Sequence, residues 1–511
     1  MANSLLFSFS AEIFLSFCLL ASLLYNSFLA SSSSLNYPLI DKQTFFQSLF
    51  ILFCCIVIVF FSNFFSYSSG YLFVYDYPSK IGKIFGLVST SVALCLGRSY
   101  LEQERIIYCE YYSVLLLSLL SFLLLTSCYD LITLFICLEM FSLCLYVLAS
   151  SNKNSIYSSE AGLKYLILGS IISGFILAGC VLLYGSTGTT NFNNFFLLFS
   201  FDFYDDFLNF YGGNDPIGYS FSLGLIFLAI GLFFKLGAAP LHVWLPDVYE
   251  GSPVSSTLFF ILVPQLAYLI ILVRLFFGCF SILFYTVKPL FLAFGLISVI
   301  VGSLGAFNQS RLKRLLAFSS ISHSGFLLLA MSSGSFLGVV SCFNYGFLYV
   351  ITNALVWGCL LMSLRVSESS LLTSHLASLS YKTGNYAPFV GLVIGVFSLA
   401  GIPPFVGFFM KYLVFVSSYL TGSYEAAALI LLVSSLGAFY YIRFLKMIAY
   451  ENTKSLDAIT DLSPSSNLSC FSKELSANFV SFCLLVSVFW LVKPSLLLLF
   501  SYKVGACLVI S

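Results

Sequence analysis

Apolar residues recur along this sequence in runs of about twenty, the length a helix needs to cross a hydrocarbon core about 30 Å thick. Fourteen such runs, separated by charged or Pro-, Gly- and Asn-rich breaks, span 5–30, 44–68, 84–99, 112–128, 131–150, 161–184, 222–244, 256–277, 283–307, 314–331, 337–365, 388–419, 425–448 and 476–500. They lack the alternating, roughly ten-residue pattern of a membrane barrel, so backbone hydrogen bonds must be met inside each segment. The fold class this implies is an all-α polytopic membrane protein of about 14 transmembrane helices. Composition agrees: with 60% of residues apolar and 8% charged, too little polar surface exists to cover a soluble globule of 511 residues. The first run follows Met1–Ser4 with no basic segment before it and no small-residue cleavage site after it, and is expected to be a retained helix.

Charge balance and the side-chain inventory exclude several function classes. The 22 Lys and Arg against 21 Asp and Glu leave no basic excess to hold a nucleic acid and no acidic excess to solvate a disordered tail. The 15 cysteines are scattered through apolar stretches without a Cys-x-x-Cys pair and read as small hydrophobes. With only His242, His323 and His375, no Cys/His cluster has the spacing for zinc, haem or an iron–sulfur centre, and neither Gly-x-Gly-x-x-Gly nor a P-loop is present. No cofactor is therefore expected in this chain, and redox or nucleotide chemistry associated with it belongs to another polypeptide.

The cations between runs set an orientation. Connections after odd-numbered runs hold most of them, including Arg311, Lys313, Arg314, Arg443, Lys446, Lys454 and Lys473, which places those connections on the cytoplasmic or matrix side and both termini opposite. The loop 185–221, rich in Asn, Asp and Phe and free of Lys and Arg, then lies outside as an aromatic-anchored interfacial loop. Four cations sit inside or at the lip of a run: Lys164, Lys235, Lys411 and Lys493. Lys493, beside Pro494 at a helix end, is expected to snorkel to the interface.

Lys235 and Lys411 share a pattern. The first lies in GLFFKLGAAPLHVWLPDVYEGSP (231–253) and the second in SLAGIPPFVGFFMKYLVF (398–415), each beside Gly and Pro that interrupt an apolar helix. Such interruptions in corresponding places of two halves point to a repeat architecture with broken helices along a transport path, and their freed backbone groups are tolerated only against water or protein. A lysine in mid-membrane persists only when paired, hydrated or snorkelling. Glu139, in DLITLFICLEMFSLCLYVLAS, has no charged neighbour in sequence and needs a partner from another helix. Burial brings both a carboxylate and a lysine toward titration near neutrality and pairing opposes both shifts, so a Glu–Lys pair that closes and opens is a proton switch.

Other residues admit two readings. His242, seven residues after Lys235, shares its face if the helix is regular, but Pro240 intervenes, and a satisfied core histidine competes with a relay. His323, in LKRLLAFSSISHSGF (312–326), is flanked by Ser319, Ser320, Ser322 and Ser324, which either hold a water chain or mark close helix packing. Asp247, Tyr249 and Glu250 read as interfacial anchors or as an ordinary surface turn.

The stretches AGLKYLILG (161–169), STGTTNF (186–192), FFKLGAAPLHVWLPDVYEGSP (233–253), LKRLLAFSSISHSGF (312–326) and LAGIPPFVGFFMKYLVF (399–415) resemble, in order, the chain 2 family of NADH–ubiquinone oxidoreductase, respiratory complex I. The similarity runs from about residue 110 to about 448. It implies an antiporter-like fold with N-terminal helices 1–3 (1–110), two inverted five-helix repeats (111–277 and 283–448) and a final loop and helix 14 (449–511), with the seventh and twelfth helices broken. It also implies a proton-translocating role driven by quinone reduction in partner subunits of the membrane arm and beyond, where flavin, iron–sulfur clusters and quinone reside; lipids are further partners and nucleic acid is not. By position, Glu139, Lys164, Lys235, His242 and Lys411 match family sites, and His323 joins them as a possible relay from its own setting. Gln265 departs from the pattern, standing thirty residues after Lys235 where the family has a lysine. A stand-alone cation/proton antiporter and a structural subunit that no longer pumps stay open beside the main reading. High Phe, Leu and Ser usage with few Met points to an AT-biased organelle genome, hence the mitochondrial inner membrane, the alternative being a bacterial plasma membrane. The cation bias predicts that protease added on the side opposite the matrix reaches both chain ends; cleavage confined to the matrix side contradicts it.

Overall fold

A computed structural model describes residues 9–31, 37–62, 66–67, 72–104, 109–200, 216–363, 387–450, 470–492 and 495–510. The helices are α1 (Ser10–Ser31), α2 (Tyr37–Phe61), α3 (Tyr77–Gln103), α4 (Cys109–Ser127), α5 (Leu131–Ala149), α6 (Ile156–Thr187), α7 (Phe192–Ser200), α8 (Pro216–Leu236), α9 (Trp244–Gly251), α10 (Val254–Leu262), α11 (Pro264–Val273), α12 (Phe284–Ala306), α13 (Leu312–Ser332), α14 (Phe336–Ser363), α15 (Ala387–Ala400), α16 (Val406–Leu420), α17 (Tyr424–Tyr450), α18 (Cys470–Val492) and α19 (Ser495–Ile510). Two short strands, β1 (Ser66–Tyr67) and β2 (Val74–Tyr75), pair antiparallel.

Each of the fourteen expected runs overlaps a helix. By length and hydropathy, twelve spans among the described residues suffice to cross a membrane, with four shorter apolar helices beside them, so this measure does not reach the expected count of fourteen. The shortfall lies in the twelfth and fourteenth runs. The twelfth is interrupted, as expected, into α15 and α16. The fourteenth, expected as one helix over 476–500, is divided between α18 and α19, around Pro494, a residue with no amide hydrogen to continue a helix. Lys493, expected to snorkel, lies outside the described residues, as does 201–215 of the aromatic loop.

The bundle has inner and outer helices. Within Val254–Cys279 and Leu312–Ser332, 94% of the apolar window is buried, against 33% for Ser10–Phe28 and for Ile156–Thr187, so α10, α11 and α13 form the centre while α1 and α6 face outward. The centre also holds polar residues. Ser319, Ser320, Ser322 and Ser324 are buried and donate to the carbonyls three residues back at 2.7–2.8 Å, which meets their hydroxyl protons within the helix.

Helix α3 begins well before the expected run at 84, with Asp76 and Ser79 forming a reciprocal cap. The hydropathy boundary was misled by cations that are not in connections at all. Lys83 is fully buried and paired with Glu12 of α1, while Arg98 pairs with Asp41 of α2 at 2.5 Å and with Glu102 at 2.9 Å. Arg274, where α11 widens into a π turn over Arg274–Cys279, donates through Nη2 to both Asp76 carboxylate oxygens at 2.8 Å. Its Nη1 donates to the carbonyls of Thr126 and Cys128 at 3.0 Å, joining the start of α3 to the end of α4.

Removing one partner of a buried ion pair strands the other, at about 3–5 kcal/mol. Arg274→Met is therefore expected to lower the thermal midpoint of the assembled protein, and adding Asp76→Asn, which neutralises the stranded charge and keeps the cap acceptor, to recover part of it. A calorimetric scan of both variants checks this.

Candidate functional site

Both interruptions are built by the same local chemistry. In the first, Gly237 at φ 74° follows α8, its N–H donates to Phe234 O at 2.9 Å, and Ala238 N–H donates to Phe233 O at 3.0 Å. In the second, Gly401 at φ 79° follows α15, donating to Ser398 O at 3.1 Å, with Ile402 N–H donating to Phe397 O at 3.3 Å. This pair of bonds is a Schellman cap, which needs a residue in the left-handed region and so selects glycine; the prolines that follow prevent the helix from resuming. A 3-10 turn over Leu241–Val243 and then α9 complete the first segment, and α16 the second.

Each lysine stands at the carbonyl end of a half-helix, where the exposed carbonyls and the helix dipole favour a cation. Lys235 is in the last turn of α8. Lys411, although on α16, reaches back across the gap and donates to Ala400 O at 2.6 Å. The two differ in how they are satisfied. At the first break the indole N–H of Trp244 donates at 3.2 Å to the Phe234 carbonyl that Gly237 also caps, and the buried Lys235 ammonium has no hydrogen-bond partner in the protein. It faces a cavity lined also by Gln265, Tyr268, Tyr249, Ser320 and Tyr349, with about 30 Å³ of room for water centres. One water needs about 10–15 Å³ by the same measure, so the cavity has space to hydrate the ammonium.

Glu139 on α5 is the carboxylate expected to pair with Lys235; its charge acts on the ammonium, with no direct ion pair between them among the described residues. Oε1 of Glu139 is buried without a hydrogen-bond partner and no contact joins it to the ammonium. His242 is not on Lys235's face. The helix has ended at Leu236, His242 lies half-buried in the 3-10 turn with Nδ1 3.2 Å from Pro240 O, and it does not line the cavity. Gln265, by contrast, does share the cavity with Lys235.

Lys164 is half exposed, not buried, and belongs to a separate charged cluster. It pairs with Glu160 at 2.8 Å and Asp247 at 3.2 Å; Arg314 meets Asp247 at 3.5 Å and Glu250 at 3.4 Å, and Arg311 also meets Glu250. Asp247 and Glu250 are thus on a helix, α9, held between α6 and the start of α13. Tyr249 between them is buried and lines the Lys235 cavity.

His323, buried on α13, has both ring nitrogens engaged: Nδ1 lies 2.6 Å from Tyr345 Oη of α14 and Nε2 3.3 Å from Tyr441 Oη of α17. Sequence reasoning looked to the flanking serines and missed these tyrosines. The signal was present as Tyr345 and Tyr349, one turn apart in an apolar helix, but which residue they meet is a matter of helix packing.

Architecture and site together define an antiporter-like membrane subunit: a helical bundle with two interrupted helices, each bearing a lysine at its break. The family described as NADH:quinone oxidoreductase/Mrp antiporter, TM, matches residues 128–439. The chain belongs to this family, in the branch that comprises subunit N and chain 2. It is 36% identical over 388 residues to NADH-quinone oxidoreductase subunit N of Pelagibacter ubique, covering 76% of this chain and 78% of the relative. It is 37% identical over 373 residues to NADH-ubiquinone oxidoreductase chain 2 of Marchantia polymorpha, covering 73% and 74%. In fold it is similar to a chain of respiratory complex I from Thermus thermophilus with bound aureothin (TM-score 0.74, 24% identity, 96% and 98% covered). It is likewise similar to a chain of the Mrp complex from Dietzia (TM-score 0.77, 19% identity, 99% and 98% covered).

A Cβ on Gly401 would lie 2.8 Å from Cδ and 3.0 Å from Nζ of Lys411. Gly401→Ala is expected to cost about 1–2 kcal/mol through its backbone alone and to push Lys411 off Ala400 O. A lowered thermal midpoint that Lys411→Met partly relieves checks both parts.

Proposed function

We propose that this chain is the proton-translocating, antiporter-like subunit in the membrane arm of a respiratory complex I. Protons cross it in response to NADH:quinone electron transfer carried out by partner subunits, which hold the flavin, iron–sulfur clusters and quinone. The observation that carries this reading is Lys235: a buried ammonium at a helix break, without a hydrogen-bond partner in the protein, beside a cavity with room for water and near enough to Glu139 to feel its charge. A structural lysine would be paired, because a lone buried charge costs several kcal/mol.

In this scheme the two repeats, 111–277 and 283–448, each contribute one interrupted helix. Closure of Glu139 on Lys235 holds the proton; separation releases it through the cavity toward Lys411, whose hold on Ala400 O keeps its ammonium at the second break. Gln265 orders water in the cavity but cannot itself carry a titratable proton. His323 stands between the two breaks. Lys164 acts from the charged cluster around α9, which positions Tyr249 against the cavity, and His242 marks the first break. The relatives named for subunit N and chain 2 support membership of such a complex, with other membrane-arm subunits and lipids as neighbours, and an organelle-like composition supports the mitochondrial inner membrane.

The test uses the intact complex in sealed vesicles, reading protons taken up per NADH oxidised. Lys235→Ala and Lys411→Ala are expected to lower that ratio by the share of one proton route, with the complex still assembled on a native gel. A ratio unchanged in both assembled variants favours the non-pumping subunit, and pumping by the isolated chain without its partners favours the stand-alone antiporter.

A further inference from the structure

Arg443 on α17 is set apart from the other arginines. Among the described residues Arg98, Arg274, Arg311 and Arg314 each pair with a carboxylate, and Arg443 alone does not. Its Nη1 donates at 2.9 Å to Phe307 O, a carbonyl freed at the end of α12, and this uses one of its five N–H donors. One turn further on, Lys446 is also exposed and has no acidic partner among the described residues.

The depth of these two cations follows from the helix that carries them. Arg443 stands nineteen residues after Tyr424, about 28 Å along α17. Tyr424 is exposed at the opposite rim, and the interval matches a hydrocarbon core of about 30 Å, so Arg443 and Lys446 stand at headgroup level. They lie at the end of the bundle that also carries Arg311 and Arg314. Toward the bilayer centre, Leu432, Leu436 and Phe439 continue the same stripe of α17 at three- and four-residue spacing, all of them exposed. Helix α12 lies alongside and presents a second exposed stripe, Ile297, Ile300 and Leu304. Both stripes end on one contact: Phe307 stacks on Phe439 with ring centroids 5.4 Å apart, and its carbonyl is the one that Arg443 takes. From Ile297 to Phe307 is about 15 Å of helix, the depth of one leaflet.

We propose that this pair of stripes binds an anionic phospholipid, its phosphate on Arg443 and Lys446 and an acyl chain lying along α12 and α17. The site does not depend on the proton-translocation reading above. Charge complementarity selects the occupant. A guanidinium presents parallel N–H groups to two phosphate oxygens, and an ammonium one turn away adds a second positive charge. A choline lipid brings its own cation to the same place, whereas a lipid whose headgroup is only a phosphodiester leaves its negative charge for both residues. Inorganic phosphate offers nothing to the apolar stripes. Simple snorkelling would carry Arg443 away to water, but its bond to Phe307 O holds the guanidinium at the head of both stripes.

The test uses the intact complex in phosphatidylcholine vesicles that contain either a diazirine-tailed phosphatidylglycerol or, at the same mole fraction, a diazirine-tailed phosphatidylcholine. After illumination, the labelled peptides of this chain are located by mass spectrometry. The anionic probe is expected to label 297–307 and 432–442 well above the choline probe, while the outward-facing α1 and α6 take both alike. Lys446→Gln, which removes no bond within the protein, is expected to lower that excess about fivefold, and Arg443→Gln with Lys446→Gln to abolish it; Lys446→Arg is expected to keep it. If the double variant does not assemble, Lys446→Gln carries the test. Equal labelling by the two probes in the unaltered complex overturns the site, as does an excess that Lys446→Gln leaves unchanged. An excess removed by added inorganic phosphate overturns it in favour of a free anion, and no labelling by either probe overturns it in favour of a protein subunit covering this face.

Discussion

A carbonyl or amide freed inside hydrocarbon costs several kcal/mol unless something bonds to it, and each interrupted helix frees several at once. Every later feature of the site is an answer to that demand. The glycine caps reclaim two carbonyls per break with backbone N–H groups. At the first break Trp244 donates as well to one of these, Phe234 O, and at the second Lys411 takes a further carbonyl, Ala400 O, with its own ammonium. The carbonyl ends that need donors are also where a helix dipole favours a positive charge, so the breaks create the places at which a membrane-embedded lysine is tolerable.

The two breaks use the same cap and reach different electrostatic ends. Lys411 is tethered to a backbone acceptor, and its position is set by the gap it spans and by Gly401, which leaves room for its stem. Lys235 stands before its break, on α8, and makes no hydrogen bond to a backbone carbonyl. Its ammonium is left to a cavity and to a carboxylate that is not in contact. Trp244, which stacks on Tyr165 at 4.6 Å, lines the Lys235 cavity.

Charged groups away from the breaks are arranged as clamps. Arg274 with Asp76, Lys83 with Glu12, and Arg98 with Asp41 tie the first three helices to one another and to the end of α11; of these residues only Arg274 lies within the stretch 128–439 over which the family match runs. The cluster of Lys164, Asp247, Glu250, Arg311 and Arg314 holds α9 between α6 and α13, and α9 supplies Trp244 and Tyr249 to the cavity. A half-helix with free ends on both sides needs such restraint to keep its side chains in place.

Hydropathy and local chemistry determined a good deal by themselves. The helical class follows from run length, and the interruptions at 237–240 and 401–404 follow from Gly and Pro in a few consecutive residues, since caps and proline breaks are interactions within one turn of chain. Lys235 and Lys411 were legible as site residues because a lysine inside an apolar run has few other uses. Packing decided the rest, because it depends on which faces of distant helices meet. Only the tertiary structure gave Lys83, Arg98 and Arg274 their buried partners, since hydropathy cannot see a partner tens of residues away. It moved Lys164 to an exposed cluster and took His242 off the face of Lys235 by ending the helix between them. It alone brought Tyr345 and Tyr441, ninety-six residues apart in the chain, to the two nitrogens of one histidine. Contacts within one turn are written in consecutive residues, whereas contacts between helices arise only when the bundle closes and side chains from separate segments compete for the same buried space.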